Sequence, residues 1–379
     1  MAQIHGYCDD RFESVKARFA EHFDLGSDLG ASFALTLHGE PVVDIWGGFI
    51  DLEKTMPWQR NTITNVWSST KTVAALCALV LADRGELDLY RKVSYYWPEF
   101  GQNGKDGIEI RHFLSHTSGL AGFDKPMKPS DLYDWDLVTA ALAGQEPWWE
   151  PGSASGYHAI TQGYLIGEVV KRVTGRSIGT FLDEEIATPL MADFFIGIPD
   201  SELIRCADVV PPPLLSTKFG AKSIAGRVFS NPIINAKQSH EKEWKSGEIP
   251  AANGQGNARS LAALMTFLAN GGEVGNSRLL KSETCEKIFD VQSHGTDLVL
   301  NLPLRFGMGF AISGDETPIS PNARTCFWGG WGGSLVVVDM EENMCLAYVM
   351  NKMGDDVMGD LRGVSLVLES YASLAESKK

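Results

Sequence analysis

The amino-acid sequence predicts an α+β fold in which both ends of the chain contribute strands to one antiparallel sheet around a mostly helical middle. Residues 31–48 have the pattern of two short strands around a turn at 38–41. Residues 334–351 have the pattern of a hairpin that turns at 341–343. The intervening chain carries helical patterns that end in glycine. The two ends can form one sheet only if they pair across the whole sequence.

The helices are predicted from apolar spacing and from their end signals. Residues 9–23 form an amphipathic pattern. Residues 73–82 are almost all apolar, which indicates a helix that is buried on every side. Four more helices are predicted, in the segments 108–120, 160–175, 258–272 and 364–375.

Two further segments are assigned, one as a strand and one as a loop. Residues 304–313 are predicted to form a single strand, and residues 209–232, rich in Pro, Gly and Ser, a long irregular segment. Together these assignments predict a discontinuous sheet domain, residues 1–66 with 296–379, and a mainly helical domain, residues 67–295.

Composition and charge narrow the classes of partner. The chain has 379 residues, of which 44% are hydrophobic and 21% charged, so it can form a sizeable core. Its net charge of −15 argues against nucleic acid, whose phosphates attract clustered Lys and Arg, and against an anionic membrane surface. We expect a small-molecule substrate, and the oligomeric state is left open.

Cysteine spacing and apolar run lengths bear on the compartment and on cofactors. None of the six cysteines belongs to a Cys-x-x-Cys pair or to a Cys/His cluster with metal spacing. The first residues contain no apolar run of signal-peptide length, and no segment approaches the ~20 apolar residues that cross a bilayer. These features predict a soluble cytoplasmic protein with free thiols, no metal and no other cofactor.

A serine and a lysine at helical spacing are the first candidates for chemistry. The Ser-x-x-Lys pattern occurs at Ser68/Lys71 and at Ser239/Lys242, and chance alone gives about one match in a chain of this length. The second copy lies in a charged segment that is typical of a solvated surface. The first copy opens the apolar helix, whose N-terminus favours a developing oxyanion.

Burial would give the lysine of the first copy a chemical role. An amine against an apolar helix loses hydration, so the pKa of Lys71 should fall and the neutral amine could accept the proton of Ser68. The alternative is that Ser68 only caps the helix and Lys71 points to water.

Other serine-hydrolase signatures are weaker. The nearest approach to Gly-x-Ser-x-Gly, residues 152–156, has alanine at the position of the nucleophile. His112, His116 and His158 could each complete a Ser-His-Asp triad, but none has a distinctive partner. A lone histidine is more often structural.

A tyrosine on a Pro/Gly/Ser-rich loop is the third candidate. Tyr157 precedes a predicted helix, where its hydroxyl could enter a cleft. If Tyr157 lies near Lys71, the positive charge should lower its phenol pKa and make the phenolate a usable base. The alternative is an interfacial tyrosine with a buried ring and a hydrated hydroxyl.

A glycine-rich stretch before the C-terminal hairpin is the fourth candidate. Gly329 and Gly330 follow Trp328, and glycine permits close approach of the backbone to a ligand. The N–H groups of Trp331 and Ser68 could then form an oxyanion hole. The alternative is a glycine-rich strand bend.

In their order and spacing these stretches resemble the serine β-lactamase and penicillin-binding-protein superfamily. More narrowly, the sequence is similar to the class C β-lactamase-like esterases called family VIII carboxylesterases. The resemblance covers nearly the whole chain and is carried by the segments "WSSTKT", "FLSHTSGL", "EPGSASGYHAITQGYLIGEVVKRVTG", "IPAANGQGNARSLAALMTFLANGG", "RFGMGF" and "GGWGGSLVVVDMEENMCLAYVMN". It implies a β-lactamase/transpeptidase-like fold, with the active site at the junction of the sheet domain and the helical domain.

The resemblance also implies roles for three residues. Ser68 would be the acyl-forming nucleophile, and Lys71 its proton acceptor or charge partner. Tyr157 would act as general base and then as general acid. Which of Lys71 and Tyr157 takes the first proton is left open.

The sequence departs from the family pattern at two positions of the expected substrate site. The second motif usually reads Tyr-x-Asn, but Ala159 stands at the asparagine position after His158. The third motif usually begins with lysine, but here Trp328 precedes Gly329 and Gly330. His158 and the three third-motif residues are expected to bind substrate. Both departures weaken the case for β-lactams or peptidoglycan peptides and favour an uncharged apolar ester.

The expected activity is hydrolysis of short to medium acyl esters through an acyl-enzyme on Ser68, with weak β-lactam hydrolysis as an accompaniment. One alternative is an acyltransferase that uses the same acyl-enzyme. Another is an inactive scaffold that binds a ligand or self-assembles. Acyl specificity is expected to depend on the loops around 124–134 and 211–232.

Overall fold

The computed structural model describes residues 3–212, 220 and 222–378. Its strands are β1 (Ile4–Cys8), β2 (Gly30–Leu37), β3 (Glu40–Gly48), β4 (Ile63–Asn65), β5 (Cys206–Ala207), β6 (Gln255–Gly256), β7 (Glu273–Val274), β8 (Ser277–Arg278), β9 (Ser293–Thr296), β10 (Pro303–Phe306), β11 (Ala311–Ile312), β12 (Thr325–Gly329), β13 (Leu335–Asp339) and β14 (Met344–Met350). Its α-helices are α1 (Glu13–Asp24), α2 (Thr70–Asp83), α3 (Val93–Tyr96), α4 (Ile110–Leu114), α5 (Trp135–Gly144), α6 (Thr161–Thr174), α7 (Ile178–Leu182), α8 (Ile224–Ser230), α9 (Lys242–Ser246), α10 (Ala258–Ala269), α11 (Ser282–Glu286) and α12 (Leu361–Ser377).

Both ends of the chain meet in one antiparallel sheet of nine strands, in the order β1-β3-β2-β14-β13-β12-β11-β10-β9. The junction between the ends is the β2–β14 pair, where Phe33 lies opposite Tyr348 and Ala34 opposite Ala347. This arrangement confirms the predicted α+β fold. It also carries β12 and the turn after it to the middle of the molecule.

Helices cover both faces of the sheet because side chains alternate along each strand. Ser32 and Thr36 of β2 point to α10, which they meet through hydrogen bonds. Tyr348 of β14 points to the other face, where its hydroxyl donates to Asp28 over 2.7 Å. Asp28 also pairs with Arg362 at the start of α12, and α12 packs on α1. The sheet is therefore the middle of three layers.

Helix α2 lies inside the helical part of the molecule, in contact with α6, α7 and α11. Every residue from Thr70 to Leu81 is buried, as the apolar sequence predicts. Each fully buried Leu or Val contributes roughly 1.5–3 kcal/mol. The burial of so many side chains fixes the position of the N-terminus of α2, where the candidate nucleophile lies.

Residues 304–313 do not form the single strand predicted for them. They form β10 and β11, which pair with each other around a turn. Gly309 in that turn has a φ of +88°, a left-handed conformation that favours glycine. A side chain at Gly307 would meet the carbonyl oxygen of Ile288. The turn is formed by these glycines, and apolar patterning alone does not reveal it.

The segment 209–232, predicted to be irregular, contains the helix α8, while residues 213–219 and 221 lie outside the described residues. All six cysteines are free, as predicted. Among the residues that the structure describes, no helix combines the length and the apolarity that crossing a membrane requires. The two-domain division stays a prediction; α10, assigned to the helical domain, packs on β2, β13 and β14 of the sheet.

Candidate active site

The candidate nucleophile lies in a sharp turn between β4 and α2. A single 3₁₀ turn, Trp67–Ser69, joins the two elements, and Trp67 has a φ of +48°, a strained value for a bulky residue. The Trp67 ring packs against Trp244 and Trp331, with ring centroids 5.5 and 4.8 Å apart. This packing holds the strained turn and directs Ser68 toward a cavity.

Lys71 lies one helical turn after Ser68, as the spacing predicts. Its Nζ is 3.2 Å from Ser68 Oγ and donates hydrogen bonds of 2.8 Å to the carbonyl oxygens of Ala159 and Ala251. The side chain is buried, and among the described residues it has no carboxylate partner. Burial lowers the pKa of Lys71 well below its ordinary value, in the direction the sequence predicts.

Tyr157 approaches Ser68 from the loop before α6. Its hydroxyl donates a hydrogen bond of 2.5 Å to Ser68 Oγ, and Lys71 Nζ lies 4.8 Å from the centre of its ring. Burial raises the pKa of Tyr157 above its ordinary value. The expectation that Lys71 lowers this pKa is therefore wrong. Loss of hydration outweighs the nearby amine, whose own pKa burial lowers.

The N–H groups predicted for an oxyanion hole lie beside this centre. Within the described part of the chain, neither the N–H of Ser68 nor that of Trp331 donates to another protein group. A side-chain carbon at Gly330 would lie 2.4 Å from Val66 O and 3.2 Å from Ser68 N. The end of β12 can approach the nucleophile this closely only because residue 330 is glycine.

Ser334 ties the glycine-rich turn to the nucleophile turn. Its hydroxyl donates to Val66 O over 2.7 Å and lies 2.9 Å from Ser69 Oγ. Its carbonyl accepts a hydrogen bond from the N–H of Gly330 over 2.8 Å. One small polar residue thus connects the segments that carry Ser68 and Trp331.

A cavity of about 560 Å³ opens at Ser68 and Tyr157. Its volume lies within the range of ligand cavities in proteins. Among the described residues, Lys237 is the only charged group in its lining. The other lining residues are mostly apolar: Trp67, Ala159, Ile160, Pro211, Pro212, Val228, Phe229, Pro232, Ile233, Ile234, Ala236, Ala252, Trp331 and Val357, with Asn235 as a polar exception.

The four residues expected to bind substrate are not among those that line the cavity. Trp328 is 1% exposed and packs behind the Tyr157 ring, at a centroid distance of 5.3 Å. Gly329 pairs within the sheet, and Gly330 contacts the nucleophile turn. His158 is fully buried. Their role in substrate binding stays a prediction; the Trp328 ring is buried because large apolar side chains gain free energy by leaving water.

The histidines form no triad with Ser68. His158 Nδ1 donates to the Gly156 carbonyl over 2.6 Å, and its Nε2 lies 2.7 Å from Ser118 Oγ. The N–H of His158 donates to His116 Nδ1. Burial lowers the pKa of His158 to about 3 and that of His112 to about 4. These neutral rings support the Tyr157 loop and do not contact the serine.

Three residues at the site are absent from the predicted set: Trp67, Ser334 and Asp297. Asp297 is buried and accepts a hydrogen bond from the N–H of Tyr157 over 3.0 Å. Ser334 comes directly after the glycine-rich stretch of the fourth candidate, so sequence analysis could have identified it as a site residue. The strained backbone of Trp67 and the contact of Asp297 with a residue distant along the chain are apparent only from the folded structure.

The fold and this arrangement of serine, lysine and tyrosine define the class of the protein: a serine hydrolase with a β-lactamase/transpeptidase-like fold. Comparison with known proteins agrees, because the β-lactamase family profile matches residues 17–369. The chain belongs to the β-lactamase family.

Individual similar proteins show which members of the family this chain resembles. The esterase/β-lactamase LipL of Mycobacterium tuberculosis is 32% identical over 364 residues, which cover 93% of this chain and 83% of that protein. The crystal structure of a family VIII carboxylesterase superposes with a TM-score of 0.93 at 36% identity, covering 98% of this chain and 100% of the other. A penicillin-binding-protein homologue from Caulobacter crescentus gives a TM-score of 0.92 at 40% identity over the same shares. The predicted resemblance to family VIII carboxylesterases is confirmed.

Proposed function

We propose that this protein hydrolyses carboxylic esters of short to medium acyl chains through an acyl-enzyme on Ser68. The observation that carries the proposal is the convergence on one atom: Lys71 Nζ and the Tyr157 hydroxyl both contact Ser68 Oγ, over 3.2 and 2.5 Å. This convergence lies at the wall of an apolar cavity. The esterase names of the similar proteins support the same reaction.

Lys71 is proposed to accept the first proton. A neutral amine has two N–H groups and one lone pair. The carbonyl oxygens of Ala159 and Ala251 accept its two N–H groups, which leaves the lone pair for the Ser68 hydroxyl. Ser68 Oγ then attacks the ester carbon as its proton passes to Lys71. The lowered pKa of Lys71 favours the neutral amine before the reaction.

Tyr157 is proposed to protonate the leaving alcohol. As the carbonyl oxygen becomes negative, the N–H groups of Ser68 and Trp331 stabilise it. The carbon–oxygen bond of the ester breaks, and the Tyr157 proton passes to the departing alkoxide. The acyl-enzyme then holds a phenolate beside the Lys71 ammonium, 4.8 Å from the ring centre. A raised pKa suits Tyr157 to this role, because the phenol carries its proton before each turnover.

Deacylation reverses these transfers with water in the place of the alcohol. The Tyr157 phenolate takes a proton from water, and the resulting hydroxide attacks the acyl carbon. Lys71 returns its proton to Ser68 Oγ as the acyl bond breaks. The carboxylic acid leaves, and each group regains its starting protonation state.

The lining of the cavity supports an uncharged substrate with an apolar acyl or alcohol group. Phe229, Ile233, Ile234 and Trp331 offer apolar contact surface, and burial of each methylene contributes about 0.8 kcal/mol. The third-motif cation that would bind a substrate carboxylate is replaced by the buried Trp328. We therefore expect ester hydrolysis to exceed β-lactam hydrolysis.

A series of p-nitrophenyl esters of graded acyl length, measured beside a chromogenic cephalosporin and a D-amino peptide, tests the proposed function. We expect kcat/KM to rise with chain length until the cavity is filled, with much slower turnover of the cephalosporin. Addition of a primary alcohol, with product analysis, measures acyl transfer. Turnover of the peptide or cephalosporin above that of every ester would contradict the assignment.

A further inference from the structure

Asp297 lies in the turn between β9 and β10, far along the chain from the loop of Tyr157. Its side chain is fully buried. Oδ1 accepts three hydrogen bonds, from the N–H groups of Tyr157 at 3.0 Å and of Val299 and Leu300 at 2.9 Å. Two of these bonds shape the turn of Asp297 itself. The third holds the backbone of a residue whose hydroxyl contacts the nucleophile.

A second contact joins the same two loops. The N–H of Leu298 donates to the carbonyl of Ser155 over 2.9 Å, two residues before Tyr157. The other carboxylate oxygen, Asp297 Oδ2, is buried, and no donor within the described residues reaches it. A buried carboxylate with one unpartnered oxygen is destabilising, and a neutral side chain could cap the turn. Capping of its own turn therefore does not account for Asp297.

The Tyr157 loop needs such an external support. Residues 151–158 are Pro, Gly, Ala, Ser, Tyr and His, and α6 begins only at Thr161. The loop therefore has no helical hydrogen bonds of its own at Tyr157. A displacement of about 1 Å in a catalytic group can lower a rate roughly 100-fold.

We propose that Asp297 is a positioning residue for Tyr157. By holding the backbone of Tyr157, Asp297 keeps the phenol hydroxyl against Ser68, where the hydroxyl can protonate the leaving alcohol. This inference rests on the proposed ester hydrolysis. Asp297 touches neither the substrate nor Ser68, and it acts through the backbone of Tyr157.

Leaving-group dependence separates this role from a merely structural one. Ethyl butyrate releases a strongly basic alkoxide that needs a proton, whereas p-nitrophenyl butyrate releases a weakly basic phenolate that does not. The acyl group is the same in both esters, so the ratio of their kcat/KM values reports proton donation to the leaving group. General destabilisation lowers both values in proportion.

Three single variants and one double variant test the proposal. In Asp297→Ala we expect the ratio of p-nitrophenyl to ethyl ester hydrolysis to rise tenfold or more. In Asp297→Asn, whose neutral oxygen can still accept the three N–H groups, we expect a rise of about two- to threefold. In Tyr157→Phe the ratio should rise at least as far as in Asp297→Ala, and adding Asp297→Ala to it should change the ratio no further.

Each outcome either supports or overturns the positioning role of Asp297. An unchanged ratio in folded Asp297→Ala, with both esters slowed alike, would overturn the proposal. If Asp297→Ala does not fold, as judged by its thermal melt, an unchanged ratio in Asp297→Asn would overturn it instead. Absence of ester hydrolysis in the wild-type protein would overturn the proposed function together with this inference, so the two failures are distinguishable.

Discussion

The chain contains two Ser-x-x-Lys sequences, and the structure gives them opposite surroundings. Lys71 is buried against two carbonyl oxygens, with Ser68 on the same face of the turn. Lys242 is 58% exposed and pairs with Asp200, while the hydroxyl of Ser239 donates to a backbone carbonyl three residues earlier. The spacing is identical in the two copies, but only in the first do the two side chains meet.

The difference shows that the chemistry comes from the surroundings of the motif. An exposed ammonium paired with a carboxylate is stable as a cation and accepts no proton. A buried amine without a carboxylate is destabilised as a cation, so its lone pair becomes available. The apolar run that follows Ser68 has no counterpart after Ser239, and this run distinguishes the two copies by sequence because it predicts burial.

The largest expected effect comes from removal of the first serine. We expect Ser68→Ala to lower kcat/KM for ester hydrolysis about 10⁴-fold or more, because loss of a nucleophile removes the acyl-enzyme. Steady-state assays of freshly purified protein, with circular dichroism to verify folding, measure the effect. Wild-type rates in this variant would assign the activity to another residue.

Replacement of the first lysine should lower both activity and stability. We expect Lys71→Met to lower kcat/KM about 10²- to 10⁴-fold, the usual contribution of a general base. The same change removes the donor of the Ala159 and Ala251 carbonyl oxygens and leaves both buried acceptors unpaired, so the unfolding free energy should fall by about 1–3 kcal/mol. Urea unfolding followed by fluorescence measures the second effect. A folded Lys71→Met protein that keeps the wild-type kcat/KM would show that the amine is only a structural group.

Acid should lower the unfolding free energy of the protein, because the buried His158 ring near Ser68 and Lys71 must then take up a proton. His158 is neutral in the folded protein, with its pKa lowered from 6.5 to about 3 by burial, so below pH 6.5 the unfolded chain binds more protons. Its contribution to stability is complete above pH 6.5 and is lost as the pH falls toward 3, by about 1.4 kcal/mol per pH unit. Urea unfolding at pH 7.5, 6 and 5 should show a smaller slope in His158→Gln than in the wild type. Equal slopes would contradict this account of the buried ring.

The smallest effects are expected at the second copy. Ser239→Ala and Lys242→Ala should each leave kcat/KM within about twofold of the wild-type value. The exposed pair of Lys242 with Asp200 contributes at most about 0.5 kcal/mol to unfolding free energy. Parallel assays with the corresponding variants of the first copy make the comparison direct. A tenfold loss of activity in either variant would remove the distinction between the copies.

Much of the fold is predictable because it rests on local patterns. Strand alternation near both ends, the apolar helix after Ser68 and the glycine at the end of α6 each report local structure. The Ser68–Lys71 contact is predictable for the same reason, since both side chains belong to one helical turn. The pairing of β2 with β14 needed the further assumption that the chain ends meet.

The features of the site that the sequence does not predict depend on contacts between segments that are distant along the chain. The pKa of Tyr157 rises because elements from across the chain bury it, and no local pattern reveals this burial. Trp328 occupies the motif position of a lysine, but its ring packs behind Tyr157 and not in the cavity. Asp297 reaches Tyr157 across 140 residues. These features require the folded structure because the sequence does not record which apolar or charged side chains meet.

Site-resolved labelling by a fluorophosphonate tests the central claim most directly, because phosphonylation reports the activated serine without any choice of natural substrate. We expect the wild-type protein to carry one adduct, on the tryptic peptide that contains Ser68. Lys71→Met should label at least 100-fold more slowly, and Lys242→Met at the wild-type rate. An adduct on Ser239, or equally fast labelling of Ser68 in folded Lys71→Met, would contradict the claim that a buried lysine, with no carboxylate partner among the described residues, activates this serine.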